Sequence, residues 1–394
     1  MIKLTSLLWM LLIGSELFGI TLDNLLTHAL DKNPSLESIA HKISANKSAI
    51  HLSRQFSNPT LAFSTNSIDE NQAMSQKTVE VTQKISYYGK RNTKEAISHA
   101  QDGILNERLS LARVNLVLAI KRQAYTIWEL ESLYKIICDY EDITQQNIEL
   151  FESYTTTSSD QHMGIMSAEL TLSDLKIQKS ELHAKIVTAY AELSYFASTK
   201  VNNLELILTI TTLPTKKMLH NGLVNNRSLA LKEKEIIKSS AVIKNSEINN
   251  YPDFNLRAGY SFRRNFEDYM SLGVGMTLPI YNSENYQEEV SRQEKLVVQS
   301  LKHNTQIAID SKFDANYAQM QSAYKIYHII NDDALPQIEH MFELTNAAIS
   351  TGADLFKYID ILVKKLKLEQ KSITTISNYY KLNANIEALS GVTQ

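Results

Sequence analysis

Shifting the chain by 193 positions lays one stretch of it on another without a gap. Leu30, Asn33, Ser35 and Leu36 meet Leu223, Asn226, Ser228 and Leu229. Further along, Ile43 meets Ile236, Ile50 meets Ile243, Pro59 meets Pro252 and Tyr88 meets Tyr281. One offset shared by prolines, tyrosines and apolar positions over almost 60 residues marks a duplicated unit. The chain therefore reads as two tandem copies, 20–199 and 220–394, joined by a segment at 200–219. Whatever one copy builds, the other must build again.

Residues 1–19 read as a signal peptide. Lys3 precedes a run from Leu4 to Ile13 that is apolar apart from Thr5 and Ser6, followed by Gly14, Ser15 and Glu16. Such a run suits a signal-peptide core and falls short of the ~20 residues a bilayer-spanning helix needs. The alternative, a buried first helix, leaves the leading lysine unexplained. No cysteine lies near the expected cleavage region, which argues against a lipid-modified amino terminus, and no later stretch reaches 18 apolar residues. The expected destination is the periplasm, the exterior or a β-type membrane protein.

Each copy has the same order of elements. Thr21 precedes Leu22, Leu25, Leu26 and Ala29, an i, i+3, i+4, i+7 face. Asn33-Pro34 then restarts a helix, with asparagine as cap and proline at the first helical position. Leu36, Ile39, Ile43 and Ile50 continue it, and Pro59 ends the helical period.

Beyond each proline the period becomes two. Strands are expected at about 59–67 and 77–88 in the first copy and 252–263 and 269–281 in the second. Alternation in Leu61, Phe63 and Thr65 is imperfect. Elsewhere it is clear: Val79, Val81, Ile85, Phe254, Leu256, Leu272, Val274, Met276 and Leu278 fall on one side. Glu80, Thr82, Lys84, Arg257 and Thr277 fall on the other. Successive side chains on a strand point to opposite faces, and nine to eleven residues is what a tilted strand needs to cross hydrocarbon. The first set is therefore the expected lipid-facing side and the second the expected lumen side. A soluble hairpin sheet with one wet face would give the same alternation. Four strands cannot close a barrel, and open sheet edges do not survive in lipid, so transmembrane strands would require several chains to share one barrel.

Very long helices follow each hairpin. From Lys90 to Ser153 there is no proline and one glycine, Gly103. Ile97, Ile104, Leu111, Leu118 and Tyr125 recur every seven residues, and Phe313, Tyr317, Met320, Tyr324 and Tyr327 form a 3-4-3-4 seam, the mark of coiled-coil packing. About 60 residues at 1.5 Å each give ~90 Å of helix. Pro336 should kink the second of these helices. A returning helix follows each, at about 163–198 and 354–389, after reversals at Tyr154–Gln161 and Thr345–Gly352.

Composition removes most other classes. Only 11 glycines and 6 prolines argue against phosphate loops and turn-rich β folds. A hydrophobic share of 43% argues against disorder, and a net charge of −3 leaves no basic footprint for nucleic acid. Cys138, alone, can form neither an intrachain disulfide nor a cysteine zinc site and reads as helix packing. There is no H-E-x-x-H, G-x-S-x-G or phosphate-loop motif, so no enzyme, cofactor or metal is expected. His162, Met163 and Met166 offer soft ligands, but three residues in a turn do not fix a coordination geometry.

This order of elements resembles the TolC-type outer-membrane efflux proteins. The resembling residues are Ala29-Leu30-Asp31-Lys32-Asn33-Pro34-Ser35-Leu36, Asn58-Pro59-Thr60-Leu61, Gln83-Lys84-Ile85 before Tyr88-Gly89-Lys90-Arg91, and Leu278-Pro279-Ile280-Tyr281. Leu335-Pro336-Gln337, Gly352 and Leu389-Ser390-Gly391 also fit. Asn226-Arg227 departs from the copy-one Asn33-Pro34, and Ser159 stands where the second reversal has Gly352. The resemblance implies a mainly α protein with a small β part: a homotrimer with a shared twelve-stranded transmembrane β-barrel in outer-membrane lipid and an α-helical periplasmic tunnel. It implies a passive conduit working with a periplasmic adaptor and an inner-membrane pump, with the helical tips near Asp160, Ala348, Gly352 and Asp354 as the contact region. A rival reading is a soluble periplasmic coiled-coil adaptor or scaffold, which leaves the bilayer-length strands unexplained.

Overall fold

A computed structural model describes residues 20–68, 72, 74–153, 159–349 and 355–392; the expected signal peptide lies outside them. The first elements are β1 (Ile20–Thr21), α1 (Leu22–Lys32), α2 (Pro34–Ser53), β2 (Thr60–Thr65) and β3 (Gln76–Ile85). Next come α3 (Lys90–Ser153), α4 (Ser159–Ala197), β4 (Leu204–Glu205), α5 (Lys216–Asn221) and a short 3₁₀ turn at Gly222–Asn225. The remainder is α6 (Arg227–Asn249), β5 (Phe254–Arg263), β6 (Tyr269–Met276), α7 (Ser283–His328), a π-helical turn (Ile329–Ala334), α8 (Leu335–Ile349) and α9 (Leu355–Leu389). The protein is mainly helical with a small sheet.

The offset of 193 recurs in the backbone. Among the described residues, four adopt a left-handed φ: Gly89 at 94°, Ser198 at 54°, Asn282 at 62° and Gly391 at 72°. They form two pairs related by that offset, and each pair has one glycine and one residue that tolerates the region less well. Gly89 and Asn282 reverse the chain between a hairpin and its long helix, while Ser198 and Gly391 end the returning helices. Side chains repeat likewise. Asn33 Nδ2 donates to Phe196 O at 3.0 Å, and Asn226 Nδ2 donates to Leu389 O at 2.7 Å. Asn33 also caps α2, its Oδ1 accepting from Ser35 N at 2.9 Å ahead of Pro34.

The chain divides into two compact units. One comprises residues up to Glu37, Leu111–Asn226 and those from Ala308. In it, Leu25, Leu26 and Ala29 of α1 pack with Val117, Ile120, Ala124 and Ile127 of α3 and Ala189 and Leu193 of α4. A second cluster joins Ile137, Ile148 and Phe151 of α3, Ile165, Leu172 and Leu175 of α4, and Tyr358, Leu362 and Leu366 of α9. The expected seven-residue seam holds at Ile104 and Tyr125, which are buried, and is displaced between them. Leu111 and Leu118 are only half-buried, and Val114, Val117 and Ile120 are the buried residues, because α3 packs on more than one neighbour. The segment 200–219 is strapped down by tyrosines: Tyr380, Tyr379 and Tyr317 donate to the carbonyls of Thr209, Thr212 and Pro214.

The expected kink at Pro336 takes the form of the π-helical turn just before it. Proline cannot donate to the carbonyl four residues back, and one wider turn absorbs the mismatch, with Leu335 N–H reaching Ile330 O.

Burial pushes the Glu369 carboxyl above its ordinary value. A raised acid favours the folded form when protonated. That stability is complete below the unfolded value near 4.5 and is lost as pH rises through the folded one. Glu369→Gln should therefore melt above the wild type at pH 8, the gap closing toward pH 4.5. A gap independent of pH would contradict this.

The other unit comprises Ser38–Ser110 and Arg227–Ile307. Asn46 donates to Ser98 O, Lys238 to Gln101, and Ser246 shares a buried hydrogen bond with Ser291. The helix order α2-α3-α6-α7 thus matches the strand order β2-β3-β5-β6, because each strand continues directly from, or into, its helix.

Candidate functional site

The four-stranded sheet is antiparallel throughout. Its central pair is β3 with β5, one strand from each copy, and β2 and β6 each have a partner on one side only. Register then groups residues that alternation could only sort strand by strand. Leu61, Val81, Ala258 and Leu272 form one cross-strand row; Phe63, Val79, Tyr260 and Met270 form the next. Gln83-Leu256-Val274 and Ile85-Phe254-Met276 complete the same face. Its one amide, Gln83, folds away to donate to Ser57 O and Lys84 O. Much of this face is open: Phe63 is 74% exposed, Leu272 83% and Val274 73%. A contiguous apolar surface of this kind marks a membrane or partner contact.

The opposite face is polar. Thr60-Thr82-Arg257-Gly273 and Ala62-Glu80-Gly259-Ser271 are its central rows, with Lys84-Asn255-Gly275 toward the helices. At the hairpin end, Gln76 donates to Thr78, Ser261 and Tyr269, and the Thr78 and Ser261 hydroxyls lie 2.9 Å apart. Gly259 makes room for its neighbour: an added Cβ would stand 2.8 Å from Ser271 Oγ, which would have to rotate away.

Eight expected apolar-side residues share the first face: Val79, Val81, Ile85, Phe254, Leu256, Leu272, Val274 and Met276. Glu80, Thr82, Lys84 and Arg257 share the second. Leu278 and Thr277 are corrections, since β6 stops at Met276. Thr277 N still donates to Asp253 O, but Pro279 has no N–H and Ile280 N turns back to Leu278 O, so pairing ends. Likewise β3 ends at Ile85, and Tyr88 and Tyr281 lie beyond the strands. Leu61, Phe63, Tyr260, Phe262 and Met270, which alternate with the same period, lie on this face too.

Where strands meet helices, Asp253 organises a half-buried node around the buried Lys90. Its carboxylate accepts from Tyr87 N at 3.0 Å and pairs with Lys90 at 3.0 Å and Lys84 at 3.6 Å. Lys90 also donates to Tyr251 O at 2.7 Å, and the Tyr87 and Tyr251 rings stack at 4.5 Å. Sequence reasoning missed this node, whose partners are about 160 residues apart.

Of the expected tip residues, Asp160 lies in α4 and Ala348 in α8, while Gly352 and Asp354 lie outside the described residues. Met163 and Met166 are exposed rather than packed. Among the described residues no group of three histidines, cysteines or acids could hold a metal, and no helix is long and apolar enough to cross a membrane.

No protein-family model and no curated protein matches the sequence. Solved structures do match. The open-state outer-membrane channel MtrE of Neisseria gonorrhoeae superposes with a TM-score of 0.78 at 13% identity, over 94% of this chain and 88% of that one. The outer-membrane protein VceC of Vibrio cholerae gives 0.76 at 13% identity, over 95% and 97%. The Campylobacter jejuni outer-membrane channel CmeC gives 0.76 at 11% identity, over 94% and 85%. A fold in which a two-faced antiparallel sheet carries paired long helices thus belongs to a known class. The chain has the TolC-type fold of the outer-membrane channels.

Proposed function

We propose that this protein is the outer-membrane conduit of a tripartite efflux or type I export system. The carrying observation is the four-stranded sheet, apolar and exposed on one face, polar on the other, with both edge strands one-sided. In lipid an unpaired edge is not tolerated. Three copies contributing four strands each close a twelve-stranded barrel and remove every edge. The apolar rows then face lipid, and Glu80, Thr82, Lys84 and Arg257 face a watery lumen. The hairpin turns point outward and the helices extend into the periplasm as a tunnel. Conduction is passive and needs no catalytic group; energy comes from an inner-membrane pump joined through a periplasmic adaptor.

The decisive experiment is fractionation with crosslinking. The conduit reading expects an outer-membrane protein that crosslinks as a trimer and conducts ions in planar bilayers. Recovery only in the soluble periplasmic extract would replace it with the adaptor or scaffold reading.

The adaptor contact is assigned to the reversals, near Asp160 and from Ala348 through Gly352 to Asp354. Small residues there let a partner helix approach closely. Ala348→Trp should insert and trimerise normally yet lose at least ~10-fold in efflux, measured as substrate accumulation in cells. Full efflux would remove this reversal from the docking surface.

A further inference from the structure

The ladder between β3 and β5 joins the second strand of copy one to the first strand of copy two. A second protomer set beside β6 brings its β2 there, and joins the second strand of copy two to the first strand of copy one. The two seams are of one kind, and the first is already formed inside the chain. At the helical ends the 193-residue offset holds for both strands of the seam, since Pro59 matches Pro252 and the left-handed Gly89 matches Asn282. Moving each partner of the β3–β5 ladder by that offset gives the other seam. Val81–Ala258 becomes Val274–Thr65, Thr82–Arg257 becomes Gly275–Ser64, and Gln83–Leu256 becomes Met276–Phe63.

The unpaired backbone groups agree with this register. Asn66 N donates to Gln76 O and Thr277 N to Asp253 O, so polar-side residues of β2 and β6 bond to β3 and β5. Backbone groups point to alternate sides along a strand. Phe63 and Thr65 on β2, and Val274 and Met276 on β6, therefore aim theirs at the free edges. The offset brings these four residues opposite one another and continues the polar face through Ser64 and Gly275. The two hairpins differ by two residues, since Leu61 meets Val81 while Phe254 meets Met276 and not Val274. The repeat thus leaves one alternative, a register two residues further along, and barrel tilt decides between them. In the first register one circuit of twelve strands climbs about 18 residues, a tilt of about 45°, at the upper end of the range such barrels show. In the alternative it climbs about 24 residues and tilts to ~54°, outside that range.

We infer that β6 of each protomer pairs with β2 of the partner subunit in this one register, Val274 opposite Thr65 and Gly275 opposite Ser64, so that the seam between protomers repeats the seam within one. The inference rests on the conduit reading above and deepens it by fixing which backbone groups close the barrel. Gly275 and Ser64 form a non-hydrogen-bonded pair in this seam, with Cα atoms ~4.5 Å apart, inside the ~4.4–6.8 Å that a disulfide spans. Within one protomer the same two residues lie three strand spacings apart, about 14 Å, so a bond between them must join two chains.

The test oxidises membranes carrying Ser64→Cys with Gly275→Cys on a Cys138→Ser background and reads boiled, non-reducing gels. A covalent trimer that dithiothreitol returns to monomer is expected. Ser64→Cys with Gly273→Cys, or with Thr277→Cys, should give at least ~10-fold less, because those pairs stand roughly 8 Å apart, beyond disulfide reach. Thr65→Cys with Val274→Cys, the adjoining pair on the other face, is read independently and should bridge as well. Bridging that favours position 273 or 277 overturns the register. So does a heat-resistant, conducting trimer that bridges at none of these pairs. A chain that never reaches the outer membrane, or stays monomeric there, sinks the conduit reading itself.

Discussion

Leu272→Arg is expected to abolish outer-membrane assembly, while Gly275→Arg, three residues along the same strand, is expected to assemble and change conductance. Leu272 is paired with Ala258 in the middle row of the apolar face and is 83% exposed. An arginine facing hydrocarbon near the midplane costs ~2–4 kcal/mol per chain, hence roughly 6–12 kcal/mol per trimer. That exceeds what a marginally stable assembly can absorb. Gly275 lies on the polar face opposite Asn255, and an added Cβ there meets nothing within 4 Å. A heat-resistant trimer band on unboiled gels and single-channel conductance separate the outcomes. Equal tolerance at both positions would show that the sheet does not face lipid.

The second large effect is expected at the strand–helix node. Asp253→Ala removes the acceptor for Tyr87 N and the counter-charge of Lys90, whose side chain is only 9% exposed. Breaking one partner of a buried pair leaves an uncompensated charge and costs ~3–5 kcal/mol. Asp253 retains 17% exposure, so the lower end, about 3 kcal/mol, is expected. Asp253→Asn keeps an acceptor for Tyr87 N and should lose about half as much. Thermal melting of the purified protein reads both. A melting point for Asp253→Ala within a degree of the wild type would mean that Tyr251 O is acceptor enough for Lys90, and that the node does not hold the junction.

Much of the architecture was readable because it is written in local periods. The long helix expected from Lys90 to Ser153 is α3, with no proline and one glycine inside it. The Asn33-Pro34 cap forms as the dipeptide requires, its Oδ1 accepting from Ser35 N. Faces of the strands were sortable because side chains alternate with period two whatever the partner strand is. The ends were not. β6 stops at Met276 because Pro279 ends the pairing, and the tyrosines expected to close the strands lie past them. The heptad positions Leu111 and Leu118 flank the buried stripe because period alone does not say how many neighbours a helix has.

What the sequence determined by itself is the duplication, the succession of elements and the two-sidedness of each strand, all properties of residues close in the chain or of one fixed offset. Only the tertiary structure decided that β3 pairs with β5, so that rows such as Leu61-Val81-Ala258-Leu272 assemble from both copies. It also decided that Asp253 meets Lys90, and that Tyr317, Tyr379 and Tyr380 strap the segment between the copies. These contacts join residues tens to hundreds of positions apart. Their partners are chosen by strand register and helix packing, and neither leaves a periodic mark in the chain.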